Sequence, residues 1–204
     1  MIFIRKAKES DFPRIFEIEA RSYPPKLHAP NEVLIYRFKT FGIWVAELNG
    51  VVVGFFTCVP AKINWPNFDT SKIIANRKPH YKPWFEEYVK LSDFDTLIVT
   101  SAAVEDIYQN RGVGTELVSY SLKLAKEMGF SYRASALRCE YKKYFDQTGK
   151  SVIEYLEEVK SGKIHDKFLS IYLKLGFELS CPLPNYEPNE ESLDYNIFAF
   201  KRFD

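Results

Sequence analysis

One loop carries the residues of this chain that are best suited to hold an anion. It covers 109–115, follows an apolar strand pattern and leads into an amphipathic helix pattern. The first N–H groups of a helix have no partner within the helix, and the helix dipole adds partial positive charge there. Gly112 and Gly114 lack a Cβ, so a phosphate can come close to the backbone. The loop is therefore predicted to bind a phosphate or pyrophosphate group.

The loop does not match the two commonest nucleotide-binding motifs. A Walker loop requires a lysine after its last glycine, whereas Gly114 is followed by Thr115. A dinucleotide-binding fingerprint requires a third glycine three residues after Gly114, and this chain has Leu117 there. Another class of phosphate-containing ligand is therefore indicated.

A second pattern with chemical potential lies about sixty residues further along, at Tyr172-Leu173-Lys174-Leu175-Gly176-Phe177. A phenol is protonated at neutral pH and can donate a proton late in a reaction. The same pattern also fits the end of a helix, with a glycine after its last turn and an aromatic side chain packed on the core. Either pattern alone is weak; their order along the chain gives them weight.

The elements that position these residues alternate between strand and helix, which predicts an α/β domain with a mixed sheet. Asn49-Gly50 between two strand patterns predicts a type I′ hairpin turn. The expected strands are 2–6, 43–48, 51–59, 96–104, 132–139, 177–181 and 197–203. The expected helices are 11–21, 31–41, 112–128, 151–160 and 167–175, with a further short helix at 84–91.

Length and composition favour one domain over 1–204, with no repeat or linker. The formal net charge is +1, so no overall field favours nucleic acid or an anionic membrane. Cys58, Cys139 and Cys181 are unevenly spaced, which argues against a disulfide framework or a zinc site, and no metal is expected. No segment reaches the roughly 18 apolar residues of a membrane span, so a cytoplasmic protein is expected.

Together, Gln109 to Gly114 and Tyr172 to Phe177 resemble the GNAT superfamily of acyl-CoA-dependent N-acyltransferases. The resemblance covers the chain apart from about 62–94 and 140–164, which are interpreted as insertions. It implies an α/β GNAT fold: a mixed, mostly antiparallel central sheet of six to seven strands, splayed in the middle and flanked by helices on both faces.

Two branches of the superfamily are similar in further detail. The stretch 19–24 and the following helix resemble aralkylamine acetyltransferases, in which this region shapes the amine pocket. Residues at 141–146, 154–155, 163, 185–186 and 190–192 resemble an acetyltransferase module that some bacterial proteins carry ahead of a carbon-nitrogen hydrolase domain.

The resemblance also implies which residues contact acetyl-CoA. The strand before the loop would present backbone groups of Ala102, Ala103 and Val104 to the pantetheine arm. The pyrophosphate would lie on the loop residues Gln109, Asn110, Arg111, Gly112, Val113, Gly114 and Thr115. His165 stands near the coenzyme position of relatives, although a role as a helix cap fits it as well, and Arg111 also fits a solvated surface residue.

For the reaction itself, the resemblance assigns Tyr172 as the general acid beside the sulfur, and the splayed sheet would bring Arg138 and Cys139 near the acyl group. A tyrosine that merely packs on the core remains the alternative for Tyr172. The base is open, because Ile98 and Thr100 on the central strand cannot titrate usefully. Glu105, Glu140, His28, His80 and His165 are candidates, as is a chain of water molecules. A covalent route through Cys139 is disfavoured.

The function expected from these patterns is direct transfer of an acetyl group from acetyl-CoA to a primary amine of a small molecule. A protein or peptide N-acetyltransferase is the first alternative. A non-catalytic acyl-CoA-binding sensor or scaffold is the second, and the presence of Tyr172 argues against it. Relatives include monomers and homodimers, and the acceptor is expected to be selected by 20–41, 62–94 and 140–165.

Overall fold

Seven strands form one mixed sheet in the part of the chain that the computed structural model describes, which is residues 1–23, 27–63, 65 and 94–204. The strands are β1 (Ile2–Lys6), β2 (Ile43–Leu48), β3 (Val51–Ala61), β4 (Thr96–Val104), β5 (Tyr132–Leu137), β6 (Glu178–Pro184) and β7 (Tyr195–Arg202). The strand order is β1-β2-β3-β4-β5-β7-β6, and β4 and β5 are parallel whereas all other neighbours are antiparallel. The predicted mixed, mostly antiparallel sheet is confirmed.

Helices cover both faces of the sheet. They are α1 (Phe12–Ser22), α2 (Asn31–Thr40), α3 (Val113–Glu127), α4 (Tyr141–Thr148), α5 (Val152–Lys160) and α6 (Leu169–Lys174). On one face, α1 and α2 pack against apolar side chains of β2 and β3, whereas α3 packs against the opposite side chains of the same strands. On the α3 face, α4, α5 and α6 share a further core with β5, β6 and β7.

The β2–β3 hairpin forms as predicted. Asn49 and Gly50 have φ angles of 53° and 80°, and Leu48 pairs with Val51 across the turn. Positive φ at both central residues is the conformation of a type I′ turn, which matches the twist of the flanking strands.

The sheet opens between β4 and β5. These strands pair only from Thr96 to Val99 on β4 and from Tyr132 to Ser135 on β5. Ser135 Oγ donates to the Val99 carbonyl oxygen (3.0 Å) at the last paired position. Beyond it, β4 continues alongside β3 and β5 continues alongside β7, which leaves an opening in the middle of the sheet.

A β-bulge lies where the opening begins. On β3 and β4, Thr57 pairs with Ser101 and the next residue, Cys58, pairs with Val99, so Thr100 is an extra residue in β4. A bulge locally interrupts the hydrogen-bond ladder and re-aims the side chains beside it. The bulge therefore changes the direction of β4 at the point where β5 departs.

One helix of the structure was not expected. Tyr141 and Tyr144 on α4 are both buried and lie near Tyr155 on α5, with ring centroids 5.6 Å and 5.3 Å from it. Tyr141, Tyr144 and Phe145 have the spacing of one helix face, but eight residues are too few for this pattern alone to identify a helix. The stability of α4 comes from packing against α5, which the local pattern does not reveal.

Some predictions differ in their ends or fall outside the described residues. Strand β5 ends at Leu137 and helix α6 covers Leu169–Lys174, each shorter than predicted. The predicted helix at 84–91, most of the aromatic residues of the 62–94 insertion and His80 lie outside the described residues. Across the described part of the chain, no helix is both long enough and apolar enough to cross a membrane.

Candidate active site

The predicted anion loop begins α3 with a left-handed residue. Gly112 has φ of 83° and forms the N-cap, and Asn110 also has a positive φ of 59°. Val113 is buried and anchors the start of the helix, whereas Arg111 and Thr115 are exposed. A Cβ added at Gly112 would meet no atom within 4 Å. The outer side of the loop is therefore open to an anion, and the first helical N–H groups lie beside it.

Two predicted contact residues of this loop have partners within the protein. Gln109 Nε2 donates to the Val104 carbonyl oxygen (3.2 Å) and to Asp106 Oδ1 (2.8 Å), which ties the loop to the end of β4. The Arg111 guanidinium lies 5.5 Å from the centroid of the Tyr108 ring. Gln109 therefore positions the loop, while Arg111 remains on the surface beside it.

The three small residues at the end of β4 do not all face the opening. The Ala102 carbonyl oxygen accepts a hydrogen bond from Tyr23 Oη (2.9 Å), and the Ala102 N–H donates to the same oxygen at 3.4 Å. The Ala103 carbonyl oxygen instead approaches Gly54 on β3, where an added Cβ would lie 2.8 Å from it. Because backbone groups alternate in direction along an antiparallel strand, Ala102 and Val104 face the opening and Ala103 faces β3.

Tyr172 lies on α6, on the α3 face of the sheet. Its side chain is buried, and its ring packs edge-on against Phe177 at 4.9 Å between centroids. The guanidinium of Arg133 on β5 lies 5.3 Å from the Tyr172 ring centroid and 4.9 Å from that of Phe177. Arg133 Nε donates to Ser121 Oγ on α3 (3.1 Å). These contacts hold the Tyr172 ring against β5 and so help to position α6.

Asp166 fixes the start of α6. Its Oδ1 accepts hydrogen bonds from the N–H groups of Phe168 and Leu169, both at 2.7 Å, and its Oδ2 accepts from Glu140 N–H (2.8 Å). Tyr155 Oη also donates to Oδ2, and burial together with the Asp166 charge raises the pKa of Tyr155. Asp166 therefore caps the helix, whereas His165, for which the sequence allowed a capping role, is exposed.

A buried carboxylate that the sequence patterns did not single out as a base lies beside the opening, on the α1 face. Glu19 is 3% exposed; its Oε1 accepts from Ala29 N–H (2.7 Å) and its Oε2 accepts from Ser101 Oγ on β4 (3.0 Å). Burial raises the pKa of Glu19. One sequence signal does exist: Glu19 follows Ile15 by four residues, which places it on the apolar face of α1.

Polar side chains surround this carboxylate at the opening. Burial raises the pKa of Tyr23, the charge of Glu19 raises it further, and the Arg138 guanidinium lies 5.6 Å from its ring centroid. Beside them, the buried Arg37 donates from Nη1 to Thr57 Oγ1 (3.2 Å). Thr57 Oγ1 in turn lies 2.8 Å from Thr100 Oγ1 at the bulge.

The predicted base candidates occupy different environments. Glu105 is buried and bound by Arg14 and by Arg21, with Arg21 Nη1 at 3.2 Å, so its charge is already paired. Glu140 accepts from the Lys167 N–H (3.0 Å) at the start of α6. Of the predicted base candidates that the structure describes, the half-buried His28 lies near Glu19.

Two of the three cysteines, Cys58 and Cys139, are buried. Cys139 is fully buried and burial raises its pKa to about 12, so its thiol stays protonated at neutral pH. Cys58 is buried as well, and its pKa is also raised to about 12. Among the described residues, no group of three or more His, Cys, Asp or Glu side chains could hold a metal ion.

Sequence comparisons identify relatives along most of the chain. The model of the Acetyltransferase (GNAT) family matches residues 12–143. YkwB, an uncharacterised N-acetyltransferase of Bacillus subtilis strain 168, is 25% identical over 209 aligned residues, which cover 95% of this chain and 85% of YkwB. YhcX, a probable hydrolase of the same strain, is 26% identical over 192 residues, which cover 92% of this chain but 36% of YhcX. The likeness to a module of a longer hydrolase partly fits that second relative.

Solved structures have the same fold. The GphF GNAT-like decarboxylase in complex with isobutyryl-CoA superposes with a TM-score of 0.78, at 19% identity and 98% coverage of both chains. YncA, a putative acetyltransferase from Salmonella typhimurium with its cofactor acetyl-CoA, has a TM-score of 0.60, at 16% identity, covering all of this chain and 94% of YncA. The predicted GNAT fold is therefore confirmed. Because the family model matches more than half of its residues, the chain belongs to the GNAT acetyltransferase family.

Proposed function

We propose that this chain is an acetyl-CoA-dependent N-acetyltransferase that transfers the acetyl group directly to the primary amine of a small molecule. The observation that carries the proposal is the opening between β4 and β5. The anion loop follows the end of β4, and Tyr172 packs over β5 on the same face as the helix that this loop begins. A coenzyme whose pyrophosphate lies on the loop could extend its thioester into the opening.

The donor site in this proposal uses mostly backbone groups. The pyrophosphate accepts hydrogen bonds from the N–H groups at 110–115, and the pantetheine arm bonds to Ala102 and Val104, which face the opening. YncA with acetyl-CoA and GphF with isobutyryl-CoA have the same fold, which supports an acyl-CoA as the ligand of this chain. The Tyr23 hydroxyl is hydrogen-bonded to the carbonyl oxygen and the N–H of Ala102. The pantetheine arm would therefore have to share or displace these hydrogen bonds.

The reaction requires three events at the thioester. A neutral amine attacks the carbonyl carbon, the carbonyl oxygen gains negative charge, and the thiolate leaves with a proton. A backbone N–H of β4 near the bulge at Thr100 would stabilise the oxyanion. Tyr172 donates the proton to the departing sulfur, as a phenol protonated at neutral pH can do.

An assay of thiol release tests this function. We expect free CoA to accumulate when the protein is incubated with acetyl-CoA and a panel of small primary amines, and the acetylated amine to appear in equal amount. Turnover on peptides alone would favour the alternative of a protein N-acetyltransferase. Tight binding of acetyl-CoA without turnover on any amine or peptide would favour the sensor or scaffold alternative.

A second candidate function is decarboxylation of a carboxyacyl-CoA. It is favoured by a chain of hydrogen bonds that leads from the buried Arg37 guanidinium through Thr57 to Thr100 at the opening. The carboxylate of such a substrate could be held at this end of the chain. GphF, which superposes over 98% of both chains, is a GNAT-like decarboxylase. Release of CO₂ from malonyl-CoA, with acetyl-CoA as product and without any amine, would establish this activity. If no CO₂ is released under conditions in which the protein acetylates an amine, this decarboxylase activity is excluded.

A further inference from the structure

We propose that Glu19 receives the proton of the acceptor amine, and that the hydroxyl groups of Tyr23 and Ser101 carry the proton to it. The inference rests on the proposed acetyltransferase function, because it names the proton acceptor of that reaction. Glu19 does not reach the opening itself; it acts through the two hydroxyls and is therefore a positioning residue.

The inner end of this relay is the contact between Glu19 and Ser101. Glu19 Oε2 accepts from Ser101 Oγ at 3.0 Å, and Ser101 is the residue directly after the bulge of β4. The other carboxylate oxygen is bound by the Ala29 N–H at 2.7 Å, which fixes the carboxylate plane. A carboxylate this deeply buried is costly unless its oxygens are bound, and here each oxygen has a donor.

The outer end of the relay is Tyr23, at the C-terminus of α1. Its hydroxyl lies on the backbone of Ala102, an exposed residue of β4 that faces the opening. The Tyr23 hydroxyl thus lies beside the peptide that joins Ser101 to Ala102. Burial raises the pKa of Tyr23, and the nearby Ser101 side chain lowers it by a smaller amount. Tyr23, Ser101 and Glu19 therefore lead from the opening into the α1 face.

The relay and Tyr172 lie on opposite faces of the sheet. Glu19 and Tyr23 belong to the α1 face, whereas Tyr172 packs in the core of the α3 face. Acetyl transfer removes a proton from the attacking amine and gives one to the departing sulfur. It therefore needs a proton acceptor and a proton donor at two separate positions. Placement on opposite faces meets this requirement.

The proton balance is simple. The ammonium proton moves to Tyr23 Oη. The Tyr23 hydroxyl, which donates to the Ala102 carbonyl oxygen in this structure, turns to give its own proton to Ser101 Oγ, and the Ser101 proton moves to Glu19 Oε2. No bond other than O–H and N–H bonds changes in this step. The neutral amine that results attacks the thioester, and its nitrogen loses a second proton to solvent as the amide forms. Tyr172 gives its proton to the departing sulfur and regains one from solvent, and Glu19 later returns its proton to solvent.

Several charged groups face the relay and set its pH dependence. Arg37 from α2 and His28 favour the ionised form of Glu19, whereas burial disfavours it more strongly and raises its pKa. Glu187 and the Arg138 guanidinium lie near Tyr23. The relay works only while Glu19 is ionised, so activity should fall as the pH drops through the raised pKa of Glu19.

The test compares two amines in wild type and in Glu19→Gln. Phenethylamine is protonated at pH 7 and must lose a proton before it can attack, whereas aniline is already neutral and needs no base before the attack. At pH 7 we expect Glu19→Gln to lower the phenethylamine rate by about 10²-fold, the lower range for general acid–base catalysis. The deficit should shrink as the pH approaches the pKa of the amine, and the aniline rate should fall far less. CoA affinity, measured by calorimetry, checks that the variant is folded.

Ser101 provides a second test, with the folding of each variant checked by the same CoA titration. Ser101→Ala should reproduce the pattern of Glu19→Gln, and Ser101→Thr, which keeps a hydroxyl, should recover most of the lost rate. Equal losses on both amines at every pH, or no loss at all, would overturn the relay; if aniline is not a substrate, the pH dependence with phenethylamine decides. A wild-type protein that acetylates no amine removes the proposed function itself, which is a different outcome.

Discussion

Gly112 and Gly114 belong to the same loop, but the reason for a glycine differs between the two positions. Gly112 has φ of 83°, a conformation that costs most other residues roughly 1–2 kcal/mol, whereas Gly114 lies within α3 at an ordinary helical angle. An added Cβ meets open space at both positions. Gly112 is therefore required by backbone conformation, and both glycines keep the surface clear for an anion.

The first residue-scale prediction concerns the anion loop. Gly112→Glu should weaken CoA binding by at least about 10²-fold, equivalent to about 3 kcal/mol, because it places bulk and negative charge beside the helix N-terminus. Gly129→Glu is the matched control: Gly129 has φ of 80° with open space around it, but lies at the other end of α3. Calorimetric titration with CoA should show the loss in Gly112→Glu alone. Normal affinity in that variant would remove the loop from the coenzyme site.

The second residue-scale prediction concerns the acid. Tyr172→Phe should lower kcat by about one to two orders of magnitude while CoA affinity stays near the wild-type value, since only the hydroxyl is lost and the ring packing on Arg133 and Phe177 remains. Steady-state kinetics with acetyl-CoA and an accepted amine provide the measurement. An unchanged kcat would show that another group protonates the sulfur and that Tyr172 serves only to pack the core.

At the scale of elements, the short helix α6 depends on contacts outside itself. A helix of this length is unstable alone, and one buried carboxylate, Asp166, binds its first N–H groups together with Glu140 N–H and the Tyr155 hydroxyl. This single side chain connects the end of β5, helix α5 and the helix that carries Tyr172. The insertion at 140–164 thus supports the position of the proposed acid.

Replacement of Asp166 tests this support. Asp166→Asn should lower the free energy of unfolding by about 1–3 kcal/mol, because an amide presents N–H groups to donors that need an acceptor. It should also lower kcat, because α6 would lose its fixed start. Tyr155→Phe removes one of the four donors and should have a smaller effect on both quantities. Urea unfolding and steady-state kinetics measure the two effects, and equal stability of Asp166→Asn and wild type would contradict the assignment.

At the scale of the whole molecule, ion pairs connect the first strand to the rest of the sheet and to α1. Arg5 on β1 binds both oxygens of Asp11, at 2.7 and 3.0 Å, and Glu47 on β2 at 2.9 Å. The Lys8 N–H also donates to Asp11 (2.7 Å). The pKa of Asp11 is lowered, chiefly by its hydrogen bonds from Arg5.

The lowered pKa predicts a loss of stability in acid. A carboxyl group whose pKa is lower in the folded state contributes stability above its unfolded pKa, which is about 3.9, and this contribution disappears as the pH falls through the folded value. We expect Asp11→Asn to lose on the order of 1–3 kcal/mol at pH 7, the range for hydrogen bonds to charged groups. Its deficit should begin to shrink below about pH 4, where Asp11 of the unfolded chain becomes protonated, and should vanish once the pH is below the lowered pKa of the folded state. Chemical denaturation at several pH values measures this, and a constant deficit would contradict the cause.

The sequence by itself determined the local features of this protein. The hairpin at Asn49-Gly50, strand β4 over Thr96–Val104 and the glycine loop before α3 all occur where the residue patterns predict them. Turn conformation, continuous apolar runs and helix termini depend on neighbours within a few residues, so the chain specifies them locally.

Only the tertiary structure decided which distant residues meet. Glu19 and Ser101 are far apart in the sequence, and the burial that raises the pKa of Glu19 exists only after α1 packs on β4. The direction of the Ala103 carbonyl, the opening beyond Val99 and the packing of α4 against α5 likewise depend on strand pairing and packing. The donor loop could therefore be found from spacing, whereas the proposed proton acceptor emerged from contacts that no local pattern encodes.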